Sequence, residues 1–396
     1  MNKGVAVTGM GIISALGNGV EANFKALIDA RDGISFPEIL ITKHTHLPVG
    51  EVKISNFNLE KNLLIANDHS YTRAALLGIA AVKEAMKSSG LSEKELLSTG
   101  FISGSSVGGM DATEKYYLEY ESSKSHHQFI PAQHPGFTTK KISDYHNIKG
   151  FTTTISTACS SGANAIMLGA RLIKAGELDR VIVGGTDCLT KFTLNGFNSL
   201  KILSEEKCKA FDDSRNGLNL GEGAAYLVLE AEHLAKDKKI IGRVLGYGNA
   251  NDAYHQTASS ETGEGAYRAM KDALEVAGIA VEKIDYINAH GTATRNNDLS
   301  ESNAIKQIYS SKIPDLSSTK AFTGHTLAAA GALEAVFSIL SLQKNLIFPN
   351  LNFFNPMQES GLLPITELKH KSVNYVLSNS FGFGGNCTSL IFSKNE

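Results

Sequence analysis

The sequence predicts an α/β fold made of two similar halves, and three observations carry this. Short apolar runs of β-like composition ("GVAVTGM", "GFISGSS", "RVIVGG", "AYLVLE", "DYINAH") alternate with amphipathic helical stretches. That is the pattern of strands buried on both faces by helices. The chain has 396 residues, more than one ordinary core holds. An internal echo relates "EAMKSSGLSEKELLSTGFISGSS" (84–106) to "DALEVAGIAVEKIDYINAHGTA" (272–293). Each reads as a helix ending at a glycine (Gly90, Gly278), an apolar residue and a Glu-Lys pair, a strand, then a polar turn.

Any helix–strand unit shares that outline, so the echo is compatible with a duplication without requiring one. Read as a duplication, it divides the chain into 1–240 and 241–396. The charged segment "LAKDKKI" (234–240) follows a completed strand and is the best candidate crossover. The N-terminal "GVAVTGMGIISALG" is glycine-punctuated and strand-like, which fits a first core strand better than a cleaved leader. Ser14 stands where a dinucleotide fingerprint would need its third glycine, so GxGxxG chemistry is not indicated.

Composition excludes several classes. Hydrophobic residues make up 42% and charged residues 20%, and the formal net charge is -2. No basic excess points to nucleic acid or to anionic lipid. No apolar run is expected to span a bilayer. The four cysteines, Cys159, Cys188, Cys208 and Cys387, lie far apart with no CxxC pair. Neither a zinc site nor a disulfide framework is expected, and the cytoplasm is the default compartment.

Cys159 stands out. Upstream, "FTTTIST" is β-branched; downstream, Ala163, Ile166, Ala170 and Ile173 fall on one helical face, with Gly176 as a stop. Cys159 is therefore placed at a strand-to-helix elbow. Unpaired N–H groups and the positive end of the helix dipole favour a thiolate there. A small buried core cysteine is the competing reading, and a nucleophile also needs a partner.

Two histidines supply candidates. His290 lies in "INAHGTATRNNDLSE" and His325 in "STKAFTGHTLAAAGALEA", each after a strand-like run and before a helix. Burial at such a position keeps an imidazole neutral and able to donate one N–H. Lys320 and Glu334 flank His325.

These blocks, with "NSFGFGGN" near the end, "VAVTGMGIISALG" at the start, "GSSVGGM" (104–110) and "AFDDSRNGLNLGEGAAYLVLE" (210–230), resemble one family. It is the β-ketoacyl-acyl carrier protein synthases, in their elongating Cys-His-His form. The resemblance runs from about residue 4 to about residue 393. It implies a thiolase-type fold, two α/β halves in a five-layer αβαβα arrangement, usually a homodimer. It implies that Cys159 takes the acyl chain as a thioester, with the N–H groups of Cys159 and Phe383 as an oxyanion hole. Fixed donors of that kind are worth about 3 kcal/mol each. His290 and His325 would bind the thioester oxygen of malonyl carrier protein as CO2 leaves, and Lys320 would pair with Glu334. Thr292 and Thr294 match positions that hold the pantetheine arm. Phe383 matches a gating residue with Phe381 beside it, and Val107 a position lining the acyl pocket. No cofactor is implied, since the phosphopantetheine belongs to acyl carrier protein, and no metal.

The sequence departs from the family pattern at Asn297-Asp298 (usually Gly-Asp), at Arg215-Asn216-Gly217 (usually Arg-Asp-Gly) and at "GGNCTS", where Thr-Asn often follows the glycines. None of these removes a catalytic group. The expected carrier-docking segments are poor in positive charge: 61–73 holds Lys61 and Arg73, and 123–129 one lysine. A dedicated carrier protein in a polyketide or polyene pathway would fit this. A non-catalytic chain-length partner in a heterodimer usually lacks the nucleophile, which is present here. This chain could still be the active half of such a pair. Thiolases and coenzyme A-using priming synthases carry Cys-His-Asn or paired-cysteine sites, and no Asn stands at the His325 position. A cysteine hydrolase would release free acid rather than CO2.

Overall fold

The computed structural model describes residues 4–66, 69–310 and 312–395. Its principal strands are β1 (Val5–Ser14), β2 (Gly100–Gly104), β3 (Thr152–Ile155), β4 (Arg180–Asp187) and β5 (Gly223–Glu230). Then follow β6 (Gly242–Asn251), β7 (Tyr286–Asn288), β8 (Asp315–Ser317), β9 (Tyr375–Phe381) and β10 (Asn386–Ser393). They lie along one path in the order β8-β7-β9-β10-β6-β1-β5-β4-β2-β3.

The two ends of that path are the same motif. Outward from the centre, the first half runs β1-β5-β4-β2-β3 and the second β6-β10-β9-β7-β8. The sense of pairing also repeats. β2 is parallel to β3 and β4, as β7 is to β8 and β9, while β5 and β10 are antiparallel to their neighbours. The halves join where Val5–Val7 pair with Gly242–Val244.

The helices that position the site are α1 (Arg73–Ser89), α2 (Ser161–Lys174), α3 (Glu264–Ala277), α4 (Arg295–Ile308), α5 (Lys320–Thr323) and α6 (Ala330–Lys344). α1 packs outside β1, β4 and β5, and α3 outside β6, β9 and β10. α2 and α6 touch each other and strands of both halves, so they form the middle of five layers. Along β5, Leu227 and Leu229 face that middle layer, whereas Tyr226 and Val228 face α1. Both faces of the strand are apolar because both are covered.

The echo in the sequence is a real equivalence. α1 ends at Gly90 and α3 at Gly278, both left-handed caps, at φ 67° and 66°. A second echo lies in the strands. A side chain on Gly9 or Gly11 would meet the carbonyls of Ala85 and Ala81 at 2.4 and 2.1 Å. One on Gly246 or Gly248 would meet those of Ala273 and Ala269 at 2.2 and 2.1 Å. The first G-x-G therefore lets α1 approach β1, and its twin does the same for α3 on β6.

One expectation needs correction. Leu327–Lys344 is long and apolar enough to cross a membrane by length and composition, yet 89% of it is buried in the fold. It includes α6, a middle-layer helix, and such a helix is apolar on all sides because protein surrounds it.

Candidate active site

The site forms at the carboxyl ends of the parallel strands, where the loops after β3, β7 and β8 converge. β3 leads through Ala158, held at φ 52°, into Cys159 and then Ser160, the cap of α2. A positive φ on a residue with a side chain is costly and marks a tight elbow. His290 follows β7, and His325 lies between α5 and α6. Cys159, His290, His325, Lys320 and Glu334 are all buried.

The structure brings the sulfur and both imidazoles together. His325 Nε2 lies 3.1 Å from Cys159 Sγ. The rings of His290 and His325 meet edge to face, centroids 5.4 Å apart, and the Phe381 ring is 5.6 Å from His290. The Phe383 N–H and the N–H of Cys159 itself are directed at the sulfur. The Phe383 ring stacks on Phe197 at 5.7 Å. Lys320 Nζ hydrogen-bonds Glu334. Nδ1 of both histidines has no hydrogen-bond partner among the described residues.

Burial governs the charge states. It pushes the Cys159 thiol up to about 11, against the pull of Lys320 and the Phe383 N–H. This corrects the expected thiolate, because the dipole and the cation do not repay the desolvation of a buried anion. Burial, and then the charge of Lys320, hold both imidazoles well below their ordinary value, so both are neutral. Burial lifts the Glu334 carboxyl to about 7, with Lys320 pulling the other way.

A cavity of about 420 Å³ opens onto this group. Its wall includes Cys159, His290, His325, Thr292, Thr294, Phe381 and Phe383. Thr292 and Thr294 pair through their hydroxyls at 2.9 Å. Val107 is not in the wall. Its N–H goes to Asp187, and its side chain packs against the apolar cluster that holds Leu189 and Leu194. Lys320 and Glu334 stand behind His325 rather than in the cavity.

Sequence reasoning missed two supporting acids. Glu301 accepts the N–H groups of His290 at 2.9 Å and Gly291 at 2.8 Å, and the amide of Asn379 at 3.0 Å. Asp187 accepts from Ser105, Ser106 and the N–H of Ala328, tying β4 to the loop after β2 and to the segment after His325. The signal for Glu301 was available: Asp298 and Glu301 lie three apart on α4 and both turn inward, and Asp298 takes the Ala293 N–H. One surface expectation also fails. Arg73 is buried in an ion pair with Glu222, because its guanidinium closes the loop around Val52 and Ile54.

Comparison with known proteins agrees with this geometry. The β-ketoacyl synthase N-terminal domain matches residues 2–235 and the β-ketoacyl synthase C-terminal domain residues 241–354. The chain is 35% identical over 413 residues to 3-oxoacyl-[acyl-carrier-protein] synthase 2 of Staphylococcus aureus, covering 100% of this chain and 99% of that protein. It is 36% identical to the protein of the same name from Rhizobium meliloti, covering 98% of each. Among solved structures, the ishigamide ketosynthase/chain length factor is similar with a TM-score of 0.91 at 29% identity over the whole of both chains. A ketosynthase in complex with its chain length factor from Xenorhabdus doucetiae is similar with a TM-score of 0.84 at 31% identity, covering 99% and 98%.

Proposed function

The chain belongs to the β-ketoacyl synthase family, and from that premise we propose that Cys159, His290 and His325 carry out a decarboxylative Claisen condensation. The sulfur attacks the thioester carbonyl of an acyl carrier protein, and the oxyanion develops facing the N–H groups of Cys159 and Phe383. The carrier thiol leaves with a proton, and His325 is within proton-transfer reach of the sulfur. Malonyl carrier protein then enters, its arm along Thr292 and Thr294. His290 and His325 donate to its thioester oxygen while the carbon–carboxylate bond breaks and CO2 leaves. The resulting enolate carbon attacks the acyl-Cys159 carbonyl, and the sulfur departs as a thiolate that takes a proton from solvent and returns to the thiol. The product is a β-ketoacyl carrier protein two carbons longer, for fatty acid or polyketide synthesis.

The observation that carries this is the convergence of one thiol, two neutral imidazoles and a Phe383 N–H at one cavity. Neutral imidazoles donate to a developing oxyanion without a competing charge of their own. The wall includes Lys201, Arg295 and His255, and no carboxylate among the described residues, which suits an anionic arm. The Lys320–Glu334 pair sets the field behind His325, and Phe381 and Phe383 guard the entrance. Val107 acts on the acyl pocket through the apolar cluster that Phe197 also packs against. The halves meet near residue 240. The location is cytoplasmic, and the assembly is a dimer that binds acyl carrier protein.

The test uses malonyl carrier protein with a panel of acyl carrier proteins, following CO2 and the intact masses of both proteins, with Cys159→Ala beside the wild type. Acylation of Cys159 with two-carbon extension is expected. No acylation from any donor would overturn the reading.

The likeness to ketosynthase/chain-length-factor structures favours a second reading, the active half of a heterodimer. With Arg73 buried, Lys61 is left as the one cation of segment 61–73 on the surface among the described residues. A dedicated carrier protein follows from that weak charge. Equal or better binding to a fatty-acid carrier would refute it.

A further inference from the structure

We propose that Asn386 is a positioning residue that holds the two halves of the oxyanion hole in register. This rests on the condensation reading above. The hole draws one N–H from the elbow at Cys159 and the other from the glycine loop at Phe383, two segments more than 220 residues apart in sequence. Nothing covalent keeps them aligned to the few tenths of an ångström that oxyanion stabilisation demands.

Asn386 bridges them. Its Oδ1 accepts amide protons from Asn164 at 2.8 Å and Asn249 at 3.0 Å, and Ser160 Oγ lies 2.7 Å away. Ser160 follows Cys159 and caps α2, and Asn164 is in the first turn of that helix. On the other side, the backbone oxygen of Asn386 accepts the Gly382 N–H at 2.8 Å. That bond closes the loop that presents Phe383. One residue thus binds the elbow through its side chain and the loop through its main chain.

The surroundings stiffen the bridge. Asn249 Nδ2 also lies 3.1 Å from Asn164 Oδ1 and 2.8 Å from Thr388 Oγ1, sharing its two protons among these acceptors, and Thr388 Oγ1 donates to Asn164 Oδ1 at 2.8 Å. Asn164 reaches Thr157, at the start of the elbow, at 2.9 Å. Gly382 lies so close that an added side chain would come 2.7 Å from the Thr157 oxygen. Networks of this kind specify one geometry because a half-satisfied member is costly.

Two half-reactions separate this role from general scaffolding. Transfer of the acyl group to Cys159 uses the oxyanion hole, whereas malonyl decarboxylation uses the histidine pair. Asn386→Ala is expected to slow acyl-Cys159 formation about 10- to 100-fold while CO2 release from malonyl carrier protein alone stays within about threefold. Ser160→Ala, which removes one arm of the bridge, should shift the same ratio in the same direction and serves if the first variant does not fold. Acylation at the wild-type rate in both variants would overturn the proposal. So would a parallel loss of both half-reactions, which marks a purely structural residue. A wild type that accepts no acyl group would instead overturn the condensation reading, and the bridge's role with it.

Discussion

His325 Nε2 stands 3.1 Å from Cys159 Sγ, and both groups are buried beside Lys320. Two opposite demands meet there. A nucleophile gains from a thiolate, but every charge placed in this interior costs solvation. The resting state that results is a protonated thiol beside neutral imidazoles, with one cation held by Glu334. In the proposed condensation, charge appears only when a substrate brings an oxygen to receive it, and the waiting donors meet it without reorganising.

That resting state has a pH signature. With the thiol pushed up to about 11, the thiolate fraction at neutral pH is small and grows tenfold per pH unit. Alkylation of Cys159 by iodoacetamide should climb in that way from pH 6 to pH 9 with no plateau. No step near pH 6.5 is expected, because both imidazoles are already neutral there. A rate that levels off by pH 7 would reveal a thiolate–imidazolium pair and refute this description.

The Lys320–Glu334 pair makes a second prediction. Lys320→Met removes the cation and leaves a buried carboxyl without its partner, at a cost of about 3–5 kcal/mol if it stays ionised. Burial already raises Glu334 from 4.5 to about 7, and losing Lys320 raises it further. A group whose folded pKa is raised contributes stability below its unfolded value, and loses it as pH climbs through the folded value. Below about pH 7 Glu334 is protonated in both folded proteins, so denaturant unfolding should show the Lys320→Met deficit growing only above about pH 7, where the wild-type carboxyl ionises and the variant's does not. Lys320→Met with Glu334→Gln should remove most of that pH dependence. A deficit independent of pH would place the damage in packing.

The repeated G-x-G gives a third. Gly11→Ala and Gly248→Ala each set a methyl group 2.1 Å from a helix carbonyl, in equivalent places of the two halves. Each should cost on the order of 3 kcal/mol, since a packed helix moves away only at the expense of its core. Thermal unfolding should show similar losses for the two. A loss at one site only would mean that the halves do not share this contact.

Those glycines also show how far the fold was legible. Strands buried on both faces announce themselves as apolar runs, and the Gly90 and Gly278 stops repeat because both helices need a left-handed cap. The second G-x-G escaped notice because "GRVLGYG" keeps the spacing of "VAVTGMG" and little else. Leu327–Lys344 shows the limit of hydropathy, which does not distinguish lipid from protein as the surrounding medium.

The site was legible where chemistry demands a residue type. Cys159, His290 and His325 each stood in a small-residue loop after a strand, and the fold places them together. What was not legible depends on distance through space. The thiol's charge state follows from total burial, which outweighs the helix dipole read from local sequence. Arg73 reads as a surface cation until Glu222, 149 residues away, is seen to pair with it. Glu301 left a trace in its spacing from Asp298, but its partners at His290 and Gly291 are backbone N–H groups, which carry no residue type to notice.

Glu301 supports the last prediction. Its two oxygens take the N–H groups of His290 and Gly291, so the loop carrying the His290 imidazole hangs on a single carboxylate. Burial lifts this carboxyl to about 6, with those same N–H groups opposing the shift, so it is ionised at neutral pH. Glu301→Gln preserves the shape but replaces one acceptor by an NH2 that faces a backbone donor. An unmet buried donor costs about 1–3 kcal/mol, and the loop relieves it by moving. His290 then leaves its place opposite His325, while Cys159 and the Phe383 N–H do not move. CO2 release from malonyl carrier protein should fall about 10- to 100-fold, as for a misplaced oxyanion donor, with acyl transfer to Cys159 changed by less than about threefold. That is the inverse of the Asn386→Ala expectation. Acyl transfer lost together with decarboxylation would show that the His290 loop and the oxyanion loop are one mechanical unit rather than two.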